Sequence, residues 1–230
     1  MGARGGMTGM ARLSRDECII RLGAQKVLPL FTCTDTAVGM RVLEALHGAG
    51  VRLVEFTNRS PAAPAVFAEL VRWAADTLPD LLLGAGTIID VPQAEAFAAA
   101  GAEFLVAPHL DEDLGRWCGE RGLAWCPGTA TVTEMVRAHR LGAAVIKVFP
   151  ADTLGGPAFI KAVRGPAPWL RLMPSGGVTT DPANLSAWFA AGAHCVGIGS
   201  QLIDPARLAS GDFDELRTRA RSLMALLPEA

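Results

Sequence analysis

The residue best suited to covalent chemistry is Lys147, which stands alone among apolar residues in the run 143–150, AAVIKVFP. The chain has three lysines, Lys26, Lys147 and Lys161, against eighteen arginines. The run predicts a strand that is buried on both faces, where burial disfavours a charged amine. A neutral amine can attack a carbonyl group to form a Schiff base. The alternative is a structural lysine whose stem packs in the core while its head reaches the surface or pairs with a carboxylate.

The elements that would position this lysine follow a regular pattern of a short apolar run, a loop and a longer Ala-rich amphipathic segment. After a first helix at 12–22, the pattern predicts strands at 27–31, 53–56, 81–84, 104–107, 123–126, 144–149, 170–173 and 195–198. It predicts helices at 35–49, 62–76, 91–100, 112–121, 132–141, 156–164, 182–191 and 212–227, with stops at Gly48, Gly101, Gly142 and Gly192.

Strands that alternate with helices predict an α/β fold with a parallel sheet. Eight such units in about 200 residues predict a (β/α)8 TIM barrel, here with an extra N-terminal helix. We expect one barrel domain over residues 1–230, with residues 1–11 flexible. An open doubly wound sheet is less favoured, because the segment 84–89, GAGTII, lacks the third glycine of a G-x-G-x-x-G turn.

Catalytic residues of such barrels lie at the C-terminal ends of the strands, and Glu55 and Arg59 lie at the end of the second strand. A carboxylate there is either an acid/base catalyst or the partner of a buried charge. A guanidinium at the turn can grip a substrate carboxylate in bidentate fashion, although most arginines are surface residues.

Thr87 follows two glycines after the third strand, and Pro108 follows the fourth. Glycines let the backbone approach a ligand closely, and the threonine hydroxyl could hydrogen-bond a carboxylate. Capping of the next helix explains a threonine there equally well.

Glycine-rich turns follow the seventh and eighth strands, as Ser175-Gly176-Gly177 and Gly199-Ser200. A single glycine pair is usually a plain turn. Loops after strands 7 and 8 of a barrel often bind phosphate, because exposed N–H groups and helix N-termini attract an anion. Two such turns at these two strands therefore predict a phosphate site.

Composition excludes several other classes of function. The formal net charge of -2 and the absence of a basic run argue against nucleic-acid binding. Five scattered cysteines without a C-x-x-C pair and four histidines without ligand spacing predict neither disulfides nor a metal site, and we expect no cofactor. No apolar run has the ~20 residues of a membrane span, and residues 1–12 lack the apolar core of a signal peptide. We therefore expect a soluble, cytoplasmic protein that acts on a small molecule.

In combination these motifs resemble the class I aldolases of 2-keto-3-deoxy-6-phosphogluconate (KDPG), the family also called 4-hydroxy-2-oxoglutarate (KHG) aldolase. The resemblance runs from about Val27 to Ile203. Its motifs are Val54-Glu55-Phe56-Thr57-Asn58-Arg59, Gly84-Ala85-Gly86-Thr87, Pro127-Gly128 with Thr131 and Glu134, Lys147-Val148-Phe149-Pro150-Ala151, Pro174-Ser175-Gly176-Gly177 and Gly199-Ser200.

The resemblance implies a lyase that cleaves 2-keto-3-deoxy-6-phosphogluconate to pyruvate and glyceraldehyde 3-phosphate, and also 4-hydroxy-2-oxoglutarate to pyruvate and glyoxylate. It further implies a homotrimer that needs no cofactor. Lys147 matches the Schiff-base lysine and Glu55 the general acid/base. Arg59 and Thr87 match residues that hold the pyruvate carboxylate, and Phe149 matches a residue beside the lysine. Gly176, Gly177 and Ser200 match the phosphate cup.

Two departures leave the substrate stereochemistry open. Asn58, Ser60 and Pro61 resemble an Asn-Ser-Pro motif of the related 6-phosphogalactonate aldolases, which lack an arginine at the place of Arg59. Ser175 keeps the hydroxyl of the gluconate type, so the gluconate type is favoured. A phosphate-binding barrel of another reaction class, such as an isomerase with Lys147 as an electrostatic residue, is the remaining alternative.

Overall fold

The computed structural model describes residues 13–228, in which parallel strands alternate with helices. The expectation of flexibility for residues 1–11 therefore lies outside the described residues. The strands are β1 (Val27–Phe31), β2 (Leu53–Thr57), β3 (Leu82–Gly86), β4 (Phe104–Val106), β5 (Ala124–Cys126), β6 (Gly128–Thr129), β7 (Ile146–Val148), β8 (Leu172–Pro174) and β9 (Val196–Ile198). The helices are α1 (Arg15–Gln25), α2 (Thr36–Gly48), α3 (Ala63–Thr77), α4 (Val91–Ala99), α5 (Glu112–Glu120), α6 (Val132–Arg140), α7 (Gly156–Arg164), α8 (Pro182–Ala190), α9 (Pro205–Ala209) and α10 (Phe213–Ala225).

The strands form two parallel sheets that curl toward each other. Six strands pair in the order β5-β4-β3-β2-β1-β9, and three pair in the order β6-β7-β8. Pro127 alone separates β5 from β6, and the Ala144 N–H donates to the Trp125 carbonyl over 2.8 Å. A bridge between Ser175 and Gly197 joins the other two sheet edges. The predicted α/β fold with a parallel sheet is confirmed.

Most predicted elements are observed with ends shifted by at most three residues. The fifth predicted strand, 123–126, is observed as Ala124–Cys126. The short strand β6 was not predicted, and it follows Pro127, which has no N–H to donate to a neighbouring strand. Helix α9 was not predicted. Helix α2 does end at Gly48, but the left-handed residue after this helix is Gly50, with φ 98°.

Two apolar clusters hold the fold together. The larger cluster lies between the strands and the surrounding helices. The smaller one joins one face of α1 to side chains of the strands, with Cys18, Ile19 and Leu22 from the helix packing with residues such as Leu28 and Phe104. Helix α1 thus covers one end of the curled sheets, and a capping box between Ser14 and Glu17 fixes its first turn.

Candidate active site

Lys147 and Glu55 meet in the interior, although β7 and β2 belong to different sheets. The distance from Lys147 Nζ to Glu55 Oε1 is 3.9 Å, and the two side chains are 7% and 1% exposed. The strands that carry them are buried along their whole length. The apolar run around Lys147 therefore does hold an amine in the interior, beside a carboxylate at the long end of ion-pair distance.

The Glu55 carboxylate is otherwise unsatisfied. Within residues 13–228, neither of its oxygens has a hydrogen-bond partner. Gly86 on β3 makes room for it, because a Cβ at that position would overlap the carboxylate. Buried polar groups normally have partners, so this carboxylate is available to a water molecule or a substrate hydroxyl.

The surroundings of the lysine are apolar on one side and polar on the other. Its Nζ lies 5.4 Å from the centre of the Phe149 ring, which is 39% exposed. The Thr129 hydroxyl donates to the Lys147 carbonyl over 3.1 Å and ties β6 to β7. Pro108 is half-buried after β4, and its carbonyl faces Gly128 so closely that only a glycine fits there.

Arg59 and Thr87 form a second pair, at the C-terminal ends of β2 and β3. The Arg59 Nε donates to the Thr87 hydroxyl over 3.4 Å. Thr87 has φ 60°, a left-handed conformation that β-branched residues rarely adopt. It does not cap the next helix, because Asp90 is the N-cap of α4. The capping alternative for Thr87 is therefore wrong.

The glycine turns line a cavity of about 400 Å³ at the same ends of the strands. Gly176 and Gly177 have φ values of 99° and 72°, which favour glycine. The Ser175 N–H donates to the Val148 carbonyl over 3.0 Å, next to Lys147. The predicted residues on the cavity wall are Arg59, Ser175, Gly176, Gly177, Gly199 and Ser200, whereas Lys147, Glu55, Thr87, Pro108 and Phe149 are not on it.

Asp152 was missed by the sequence analysis. It lines the same cavity, and a Cβ at Gly176 would lie 3.0 Å from its Oδ1. It follows Lys147 by five residues in the turn after β7, where polar residues of parallel strands gather. A polar residue just after a predicted strand is the sequence signal for Asp152, but the apolar run singles out only Lys147.

The part of the chain that the structure describes contains neither a membrane-spanning helix nor a metal site. No helix between residues 13 and 228 combines the length and the apolar character needed to cross a membrane. In the same range, no group of three or more His, Cys, Asp and Glu side chains is arranged to hold a metal ion.

The model of the family described as KDPG and KHG aldolase matches residues 19–218. The chain belongs to this family. It is therefore an aldolase of the lyase class by family, and the resemblance read from the motifs is confirmed.

Curated relatives of the family cover most of the chain. A 2-dehydro-3-deoxy-phosphogluconate aldolase of Dickeya dadantii is 33% identical over 205 residues, which are 89% of this chain and 93% of the relative. A protein of Escherichia coli K12 named KHG/KDPG aldolase is 32% identical over 206 residues, which are 89% of this chain and 92% of the relative.

Solved structures of the family have the same fold. The KDPG aldolase of Legionella pneumophila, captured with pyruvate as a covalent carbinolamine intermediate, has a TM-score of 0.82 at 25% identity and covers 92% of this chain and 98% of its own. A structure described as native KDPGal has a TM-score of 0.78 at 28% identity and covers 87% and 93%.

Proposed function

We propose that this chain cleaves 2-keto-3-deoxy-6-phosphogluconate to pyruvate and glyceraldehyde 3-phosphate as a class I aldolase. The observation that carries the proposal is the buried pair of Lys147 and Glu55, with Nζ and Oε1 3.9 Å apart. Membership of the KDPG and KHG aldolase family supports the reaction type, and relatives with this printed activity support the substrate.

Lys147 supplies the electron sink. Its amine attacks the C2 carbonyl to give a carbinolamine, which loses water to form a protonated imine. When the C3–C4 bond breaks, its electron pair moves to C3 and is taken up by the imine as an enamine. Protonation at C3 and hydrolysis then release pyruvate and restore the amine.

Glu55 moves the protons in this scheme. It takes the proton from the C4 hydroxyl as the C3–C4 bond breaks, which releases the aldehyde product, and it serves carbinolamine dehydration directly or through a water molecule. A carboxylate without other hydrogen-bond partners in the described part of the chain is free to accept these protons.

The remaining site residues hold the two ends of the substrate. Arg59 and Thr87 bind the carboxylate next to C2, and their side chains already contact each other. The turns with Ser175, Gly176, Gly177, Gly199 and Ser200 bind the 6-phosphate through N–H groups and hydroxyls. Binding at both ends orients the bond that breaks. Phe149 and Pro108 line the space next to the amine.

The proposal also covers the closure of the barrel and the oligomeric state. The bridge between Ser175 and Gly197 and the single-residue break at Pro127 support a closed (β/α)8 barrel with α1 as its extra N-terminal helix, in one domain. The family resemblance implies a cytoplasmic homotrimer, and light scattering after size-exclusion chromatography would measure the mass of the particle.

The C4 epimer is the second candidate substrate. The motif of Asn58, Ser60 and Pro61 and the structural similarity to the KDPGal structure favour it, whereas Arg59 and Ser175 favour the gluconate type. The name of the Escherichia coli relative adds unphosphorylated 4-hydroxy-2-oxoglutarate. Family membership leaves no observation that favours an isomerase.

The proposal is tested by following pyruvate formation with lactate dehydrogenase and NADH. We expect kcat/KM to be highest for the gluconate isomer and turnover to be lost in Lys147→Ala. The proposal fails if none of the three keto acids gives pyruvate with the wild-type chain. A higher kcat/KM for the galactonate isomer would change the assigned substrate and leave the chemistry in place.

A further inference from the structure

A second cavity lies at the opposite ends of the strands from the candidate active site. Its volume is about 420 Å³, within the range of about 300–1,000 Å³ that small-molecule sites have. It is bordered by residues that lie shortly before the starts of β1, β8 and β9, by the loop after α7 and by the last residue of α7. We call it the basic pocket and define it by Lys26, Arg164, Trp169, Arg171 and His194.

The parallel arrangement brings these basic residues together. Lys26 and Arg171 directly precede β1 and β8, and His194 lies two residues before β9. The Val196 N–H donates to the Lys26 carbonyl over 2.8 Å, and the His194 N–H donates to the Leu172 carbonyl over 2.9 Å. Three basic side chains therefore lie next to each other at the N-terminal ends of β1, β8 and β9.

The residues between 13 and 228 that border the basic pocket include no Asp or Glu, so no carboxylate of this wall offsets the charge. Lys26 and Arg171 are half-buried, and neither side chain makes a hydrogen bond or an ion pair to any residue from 13 to 228. Arg164 does have a structural role, since its Nη1 donates to the Leu170 carbonyl over 2.9 Å. Two partly desolvated cations without a partner form an electrostatic site for an anion.

His194 lies close to these positive charges. Its pKa is lowered, chiefly by burial and further by the charges of Arg171, Lys26 and Arg164, although the hydrogen bond to the Ile19 carbonyl acts in the opposite direction. The ring is held in place over Gly23, where a Cβ would come within 2.7 Å of it. With the pKa of His194 lowered and its ring fixed, Lys26 and Arg171 are the charged side chains of the basic pocket that have no partner among residues 13–228.

Trp169 gives the basic pocket an apolar wall. It is 54% exposed, which is unusual for a large aromatic side chain, and it stands beside the cations in the loop between α7 and β8. Its ring can stack on a planar group of a ligand.

We propose that the basic pocket binds a phosphorylated small molecule with a planar ring, such as a nucleotide, with Lys26 and Arg171 on the phosphates and Trp169 on the ring. Lysine and arginine side chains bind phosphate through charge-assisted hydrogen bonds. This site is separate from the phosphate cup at the other ends of the strands and does not depend on the proposed aldolase activity.

The test is a titration of the full chain with ATP, observed at Trp169. The chain is labelled with 5-fluorotryptophan, its five tryptophans are resolved by ¹⁹F NMR, and the Trp169 signal is assigned with Trp169→Phe. We expect ATP to shift the Trp169 signal in a saturable manner and the signals of Trp125 and Trp188, which are buried, to stay unchanged. Binding of ATP at the phosphate cup alone would leave the Trp169 signal in place and would overturn the proposal.

The charges are tested with Lys26→Gln/Arg171→Gln against the matched double variant Arg72→Gln/Lys161→Gln, whose two residues are exposed and lie outside the basic pocket. We expect the first variant to weaken ATP binding about tenfold or more and the second to bind as wild type does. Pyruvate formation by both should equal that of the wild type, which shows that each variant is folded. Equal ATP affinity in the two double variants would overturn the proposal.

Discussion

At the scale of single residues, the Glu55 carboxylate has no partner among residues 13–228 other than the Lys147 amine 3.9 Å away. Replacing Glu55 by glutamine keeps the shape and removes the proton acceptor. We expect Glu55→Gln to lower kcat by about 10²- to 10⁴-fold and to slow the trapping of pyruvate by borohydride, while pyruvate still binds. Glu69→Gln, at an exposed position of α3, is the control. Unchanged turnover in Glu55→Gln would remove this residue from the mechanism.

Arg59 tests carboxylate binding at the same scale. Lysine keeps the charge but loses the planar fork that grips a carboxylate with two hydrogen bonds. We expect Arg59→Lys to raise KM for the keto acid about tenfold, and Arg72→Lys on the surface of α3 to leave KM unchanged. Steady-state kinetics of the two variants measure the difference, and an equal KM in both would contradict the assignment.

The sequence identified most residues of the candidate site but not the distances between their side chains in the fold. An amine in an apolar run and glycine turns after two strands are local patterns, so Lys147, Ser175, Gly176 and Gly177 could be found from the chain alone. The contact between Lys147 and Glu55 depends on two strands from different sheets, and the packing of Asp152 against the glycine turn depends on a close approach of two loops. Neither leaves a periodic signal in the sequence.

At the scale of elements, the proposed phosphate site requires the turn after β8 to remain free of side chains. Gly177 has φ 72°, and a Cβ there would come within 2.5 Å of the Asp152 side chain. We expect Gly177→Ala to raise KM for the phosphorylated substrate by at least about tenfold, because the turn must move, and to leave pyruvate trapping intact.

Gly122 is the matched control for this prediction. It has φ 64°, but a Cβ there would meet nothing within 4 Å. Gly122→Ala carries the same backbone strain, about 1 kcal/mol, without touching the site. If both variants raise KM equally, the effect comes from general strain and the role of Gly177 in phosphate binding is wrong.

The starts of helices were predictable where an aspartate caps the first turn. Asp35, Asp90 and Asp111 cap helices at or next to their predicted starts, because an aspartate side chain accepts from the first free N–H groups. The strands were less predictable, since in parallel sheets their ends are decided by hydrogen bonds to neighbours that the sequence does not name.

At the scale of the whole molecule, buried thiols couple stability to pH. Burial raises the pKa of Cys18 and Cys195 and raises the pKa of Cys118 and Cys126 to about 12. In the unfolded chain these thiols ionise near pH 8.5. Their contribution to stability is therefore complete below that pH and is lost as the pH rises toward the folded pKa values, because the unfolded state releases protons that the folded state keeps.

We expect the free energy of unfolding to fall between pH 8 and pH 10, by about 1.4 kcal/mol per pH unit for each thiol once its unfolded form is ionised. The chain has no tyrosine, so few other groups titrate in this range. Urea unfolding in the presence of a reductant measures the slope, and Cys195→Ala should reduce it by the share of one thiol. A free energy that stays constant up to pH 10 would contradict the prediction.

The proposed function requires Lys147 to form an imine with a keto acid. The chain has only three lysines, so the modified one can be identified directly. The wild-type chain is incubated with pyruvate and borohydride, digested and examined by mass spectrometry. The account predicts a reduced pyruvate adduct on the peptide with Lys147, none on those with Lys26 or Lys161, and none anywhere in Lys147→Ala. An adduct that persists in Lys147→Ala, or a wild-type chain that pyruvate and borohydride leave unmodified, would contradict the account.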